Sequence, residues 1–221
     1  MAVTSPLSQR RTVVALLLLT FATGLIDAIS VLVLGRVFVA NMTGNAIFLG
    51  FVFVAHTGID LTAAAVAVGG FLLGAIIGGR LVRALGQRPR TWVTTALGIE
   101  VALLLILAAL AGFGVLRYHD ASKLILIVGL AVAFGVQNST ARQFGIQELY
   151  TTVLTSTIAG IGLDSRLAGG TGARERLRYG VVVTMIGGAM VSATLTRVVV
   201  APVIALTAAV VAVSLLLFRY G

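Results

Sequence analysis

The chain of 221 residues has no cysteine, three prolines, one tryptophan, two histidines and only seven acidic side chains. Without cysteine there is no disulfide framework, thiolate nucleophile or thiolate-ligated metal, and two isolated histidines do not make a metal site. Charge of either sign is scarce: 10% of residues are charged and 59% are hydrophobic, whereas a soluble globular chain carries about 25% charged residues. A water-soluble fold could not cover its surface with so few charges. No Ser/His pair, metal-ligand cluster or carboxylate pair is present to support catalysis. An enzyme is therefore not expected, and neither is a cofactor.

What the chain does have is long apolar runs. Mean hydropathy is +1.10, and several windows exceed the roughly 20 apolar residues that span about 30 Å of hydrocarbon. The fold class that follows is an all-α integral membrane protein, one polytopic domain over residues 1–221, with the lipid bilayer as its first partner. Eight hydrophobic segments occur in order, at 12–34, 37–57, 61–82, 91–114, 123–141, 145–163, 179–196 and 198–218. The first is too long for the apolar core of a signal peptide and reads as an uncleaved span.

Net charge is +9, and 15 of the 16 basic residues are arginine. These cluster in short stretches between apolar segments, which is the positive-inside pattern and not a nucleic-acid patch; nucleic acid is set aside as a partner. If all eight segments span with the N-terminus inside, the basic residues divide nine inside and seven outside, hardly a bias. If the second and sixth segments leave on the side they entered, only Arg36, Arg117, Lys123 and Arg197 fall outside, against twelve inside. Short-loop Lys/Arg counts of this kind set orientation. The expectation is six full spans, two re-entrant or broken helical segments, and both termini cytoplasmic.

The interrupted segments hold the polar residues. Residues 37–50, VFVANMTGNAIFLG, place Asn41, Thr43, Gly44 and Asn45 inside an apolar stretch. Gly24 and Asp27 of the first span have counterparts in Gly135 and Asn138 at an offset of 111, and Thr43 and Gly50 align with Thr155 and Gly162 at an offset of 112, with Phe38 opposite Tyr150. An offset of half the chain predicts two repeats, approximately 10–114 and 121–219. Three spans and a re-entrant segment, repeated, must be inverted in the membrane, the arrangement of many transporters and some channels. A helix that starts near 43–45 at mid-depth would present unpaired amides and a positive dipole end, a ready site for an anion, a carboxylate or a carbonyl oxygen.

The first span's GLIDAISVL, followed by GRVFVANMTGNAIFLG, resembles the signature of the YoaK-like family of small bacterial inner-membrane proteins, a family of unknown function. GVQNS at 135–139 and TTVLTST at 151–157 are similar to its later segments. The resemblance covers nearly the whole chain and implies a protein of the bacterial cytoplasmic membrane with no established activity. Ser156 departs from it, standing where glycine is expected after Thr155.

Each polar residue has a functional and a structural reading. Asp27 lies about 22 Å along a helix begun at Thr12; it is a candidate solute ligand and proton-coupling group, or a partner for Arg36 or for the amides of the broken segment. Asn41, Thr43, Gly44, Asn45, Gln137, Asn138, Thr155 and Thr157 are the candidate substrate-binding residues, with capping and interhelical hydrogen bonding as the plain alternatives. Glu100 is expected to snorkel or to pair with the arginines at 80–90, Glu148 to pair with Arg142, and Trp92 and Tyr118 to mark the membrane interfaces. The ladder Gly70, Gly74, Gly78 lets helices approach closely, either within one chain or across a homodimer. The leading function is a secondary transporter or exporter of a small polar or anionic solute, with a midplane site at the repeat interface. A passive channel and a non-transporting membrane subunit or sensor are the competing classes.

Overall fold

The computed structural model describes residues 5–54, 58–118, 120–144, 154–172, 174–196 and 200–220. All of its regular structure is helical: α1 Gln9–Val33, α2 Met42–Leu49, α3 Leu61–Leu85, α4 Pro89–Gly112, α5 Lys123–Ala141, α6 Leu154–Leu163, α7 Glu175–Leu195 and α8 Ala201–Tyr220, with short 3-10 turns at Gly50–Phe53, Arg142–Phe144 and Arg166–Ala168. Six of them, 20–25 residues long once α5 is counted through its 3-10 turn, are long and apolar enough to cross a bilayer. At 1.5 Å per residue, α2 and α6, of 8 and 10 residues, cover only about 12–15 Å. The chain is a multi-pass membrane protein.

Helix directions follow from side-chain contacts. Arg10 and Arg176, near the starts of α1 and α7, line one groove, while Leu32 and Thr196, near their ends, line another; the two helices run parallel. Lys123 Nζ meets Asp60 Oδ2 at 2.7 Å, joining the starts of α5 and α3, and Gly78 packs on Ser139 near their ends, so this pair is parallel too. Ser214 Oγ donates to the Ala15 carbonyl at 3.2 Å, Gly112 packs on Ala201, and Trp92 packs on Phe144 with ring centroids 5.7 Å apart. These set α8 antiparallel to α1 and α4, and α5 antiparallel to α4. Consequently α1, α4 and α7 run one way, and α3, α5 and α8 the other.

Glycine fixes the two parallel crossings. A Cβ at Gly24 would overlap the Met185 carbonyl and lie 3.1 Å from the Ala189 amide; a Cβ at Gly135 would overlap the Phe71 carbonyl and lie 2.9 Å from the Ala75 amide. Gly188 meets the Phe21 carbonyl just as Gly74 meets that of Val132. Only a side chain that ends at hydrogen lets these backbones come so close. Gly70, Gly74 and Gly78 all face α5, so the ladder is used within the chain. The α1 and α5 helices are the most enclosed, with 61% and 67% of their apolar stretch buried against 17–39% for the others, and Gln137 Nε2 donates to Thr23 Oγ1 at 3.1 Å between them.

Two expectations are corrected. Trp92 is fully buried, within a stack that continues through Phe144 to Phe218, so it is a core residue and not an interface marker. Glu100 is also fully buried, and neither carboxylate oxygen has a hydrogen-bond partner among the described residues; α4 carries it on the face that packs into the bundle, out of reach of any snorkelling route. Glu148 lies outside the described residues.

Candidate functional site

The α1 helix ends at Val33 with Leu34 as its cap, and Gly35 and Arg36 turn the chain with φ of +107° and +60°. The Asp60 amide returns to the Gly35 carbonyl at 3.2 Å, so residues 35–60 leave and rejoin the bundle at one place. Between those points residues 34–41 are not helical, and their buried backbone needs partners. Asp27 supplies them. Its Oδ1 accepts from the amides of Val39 and Ala40, both at 2.9 Å, and its Oδ2 accepts from the Asn41 side-chain amide. Asn45 completes the clamp: its Oδ1 accepts from the Phe38 amide at 2.9 Å, and its Nδ2 donates to the Phe38 carbonyl at 2.6 Å.

The carboxylate thus latches the broken segment to α1, and Arg36 is not its partner; the arginine guanidinium lies near Gly58 instead. Beside the latch is a cavity of about 380 Å³ between α1, the segment at 38–41 and α7. Asp27 and Asn41 are the polar residues of its lining; Phe38, Val31, Met185 and Ala189 are among the apolar ones. A volume of this size suits a small molecule held by few polar contacts.

Of the sequence-predicted residues, Asp27 and Asn41 meet at this cavity and Asn45 supports it from one turn into α2. Gly44 packs beneath the Phe38 ring, where a Cβ would stand 2.6 Å from ring carbons. Thr43 is exposed on the far side of α2. Gln137 and Asn138 are buried on α5, the former bonded to Thr23. Thr157 is buried in α6 and Thr155 is exposed; Thr151 and Thr152 lie outside the described residues. Sequence reasoning passed over Met185 and Ala189, which close the cavity from α7, and Thr23; the Gly187–Gly188 pair was the one signal that α7 approaches another helix closely. Among the described residues no cluster of acidic or histidine side chains could hold a metal ion.

Six helices long and apolar enough to span a bilayer, two short ones and a carboxylate-latched break in the first half define a polytopic α-helical membrane protein with a cavity lined by Asp27 and Asn41. The chain belongs to the family described as "Protein of unknown function (DUF1275)", which matches residues 15–217. It is similar to the UPF0700 transmembrane protein YoaK of Bacillus subtilis (strain 168), 35% identical over 159 residues, spanning 70% of this chain and 66% of the length of that curated relative. No solved structure matches.

Proposed function

We propose that the chain is a secondary transporter or exporter of a small polar or anionic solute, built from two inverted repeats at approximately 10–114 and 121–219. The observation that carries this reading is the equivalence of the two helix crossings: Gly24 on α1 touches α7 as Gly135 on α5 touches α3, and α1 and α5 run in opposite directions. Each half then has a central helix followed by a short helix in an excursion that returns to the end it left. In the membrane α2 and α6 are re-entrant, both termini are cytoplasmic, and the membrane is the bacterial inner one. Transporters with inverted repeats bind solute where such broken helices meet the repeat interface.

Asp27 is the coupling group in this scheme. It holds residues 39–41 through three acceptor contacts; a proton on the carboxyl removes acceptor capacity and loosens the segment that walls the cavity. A solute bearing hydrogen-bond donors takes the place of the Asn41 amide on the same oxygen. No enzymatic step is assigned to the chain.

The test is flux. Purified protein in proteoliposomes is screened with small carboxylates and polar metabolites under an imposed proton gradient. Saturable, gradient-dependent uptake that disappears in Asp27→Asn is the expected result; non-saturating flux would make the protein a channel. Topology is tested separately with single cysteines, since the chain has none of its own. Gln87→Cys and Leu167→Cys should label from the cytoplasm and Ala121→Cys from outside; Gln87→Cys and Leu167→Cys labelling from opposite faces would defeat the six-span arrangement.

A further inference from the structure

The parallel starts of α3 and α5 are joined by the Asp60–Lys123 ion pair. The corresponding starts of α1 and α7 are built differently. Arg10 and Arg176 are exposed and flank a groove of about 640 Å³ whose remaining lining is Gln9, Val13, Val14, Leu17, Leu177 and Gly180. Neither arginine forms an ion pair among the described residues. Asp164 is held by Arg178 at 2.5 Å, and the Glu175 carboxylate lies beside Gly172, 3.4 Å from where a Cβ would stand.

Two guanidinium groups therefore stand at one end of an apolar trough, at the place where the other parallel pair, α3 with α5, is closed by opposite charges. Both helices also begin here, so their positive dipole ends add to the field. An anion with two or more acceptor oxygens would bridge the arginines, and the trough below them lies along the spanning helices, at the depth of acyl chains.

We propose that this groove binds one anionic phospholipid, its phosphate between Arg10 and Arg176 and an acyl chain along Val13, Val14, Leu17 and Leu177. The ligand is a lipid and not a free anion because the trough extends apolar surface away from the charges toward the hydrocarbon. Basic pockets between spanning helices recognise acidic headgroups in this way. The site is distinct from the Asp27 cavity, which opens near the other end of α1, and it does not depend on transport.

The experiment uses full-length protein in nanodiscs of phosphatidylcholine with a minor fraction of phosphatidylglycerol, released into native mass spectrometry. Wild-type protein should retain one phosphatidylglycerol in preference to phosphatidylcholine. Arg10→Gln/Arg176→Gln should weaken that preference about tenfold or more, given the attraction of each basic residue for an acidic headgroup, whereas Arg117→Gln, at the opposite end of the bundle, should leave it unchanged. Gly180→Leu adds apolar bulk to the trough while keeping both arginines, since nothing lies within 4 Å of a Cβ there; it should also displace the lipid. Equal retention in the double variant, or in Gly180→Leu, overturns the proposal. Full displacement of the lipid by millimolar glycerol phosphate overturns it as well, since the site would then be one for a free anion.

Discussion

The pairs α1 with α7 and α3 with α5 cross through matching backbone contacts yet differ in everything attached to them. At the crossings, Gly24 and Gly135 each admit a carbonyl and an amide of the facing helix, and no other residue fits either place. Away from the crossings the two pairs diverge: α1 carries Asp27 three residues beyond its crossing glycine where α5 carries Asn138, and an ion pair closes one pair of helix starts while two arginines flank the other. Close packing tolerates no drift, whereas side chains in the excursions and at the helix ends are free to specialise. The differences between the two pairs are accordingly where binding and coupling should be sought.

The largest effect should come from the latch. Asp27→Ala strands two backbone amides and the Asn41 side chain, at about 1–3 kcal/mol for each buried unsatisfied group, and should lower thermal stability in detergent by more than any change at the crossings or the helix ends. Asn138→Ala removes an uncharged partner and should cost distinctly less; equal losses would mean that the halves are latched alike. Next come the crossings. Gly24→Ala and Gly135→Ala should each destabilise by about 1–3 kcal/mol through overpacking, and by similar amounts. Gly98→Ala, where a Cβ meets only Leu215 Cδ1 at 3.8 Å, should be neutral or gain up to about 1 kcal/mol of helix propensity. A crossing glycine that tolerates alanine would break the equivalence on which the repeat rests.

Glu100 sharpens the contrast between structural and functional carboxylates. Asp27 is fully engaged, while Glu100 is buried with no partner among the described residues. Replacing an orphaned polar group with an apolar one of similar size relieves a desolvation cost, so Glu100→Met should raise thermal stability by about 1–2 kcal/mol. If flux falls in the same variant, Glu100 serves transport; if flux is unchanged, it does not.

Much of the architecture was readable because hydropathy and length constrain a membrane chain tightly. The six spans fall within a few residues of the apolar runs, and the break in the second segment was visible in Asn41 and Asn45. What pairs with what was not readable. Membrane helices are apolar on every face, so periodicity does not point Gly24 at α7 or Gly70 at α5. Trp92 shows the difficulty: a tryptophan one turn into a helix suits a lipid interface and an aromatic core equally, and only the neighbouring Phe144 and Phe218 decide. For Asp27 the amides of the broken segment were one of two readable structural partners, Arg36 the other; that the amides are those of Val39 and Ala40, and that Arg36 takes no part, no sequence marks. Arg10 and Arg176 were counted for topology; their meeting across a groove needs α1 and α7 to be parallel neighbours.

The smallest expected effect tests the closed pair of helix starts. Asp60 caps α3, its Oδ1 accepting from the Ala63 amide at 3.0 Å, while its Oδ2 meets Lys123. Partial burial, the largest single influence, pulls the Asp60 carboxyl upward; the Lys123 hydrogen bond, the Ala63 amide and the Lys123 charge together pull it further down, so it ends below its ordinary value of 3.8. A carboxyl held lower in the folded state than in the unfolded one contributes stability that is full above the unfolded value and is lost as pH falls through the folded value. Both side chains are partly exposed, so the contribution is about 0.2–1 kcal/mol. Asp60→Asn isolates the charge, because asparagine caps a helix about as well as aspartate. Thermal denaturation of wild type and Asp60→Asn should differ by that amount at pH 7, and the gap should begin to shrink below about pH 4 and close as pH falls through the folded value. No gap at pH 7 would mean that Asp60 acts through its cap alone, and the contrast between a pinned and an open pair of helix starts would lose its electrostatic basis.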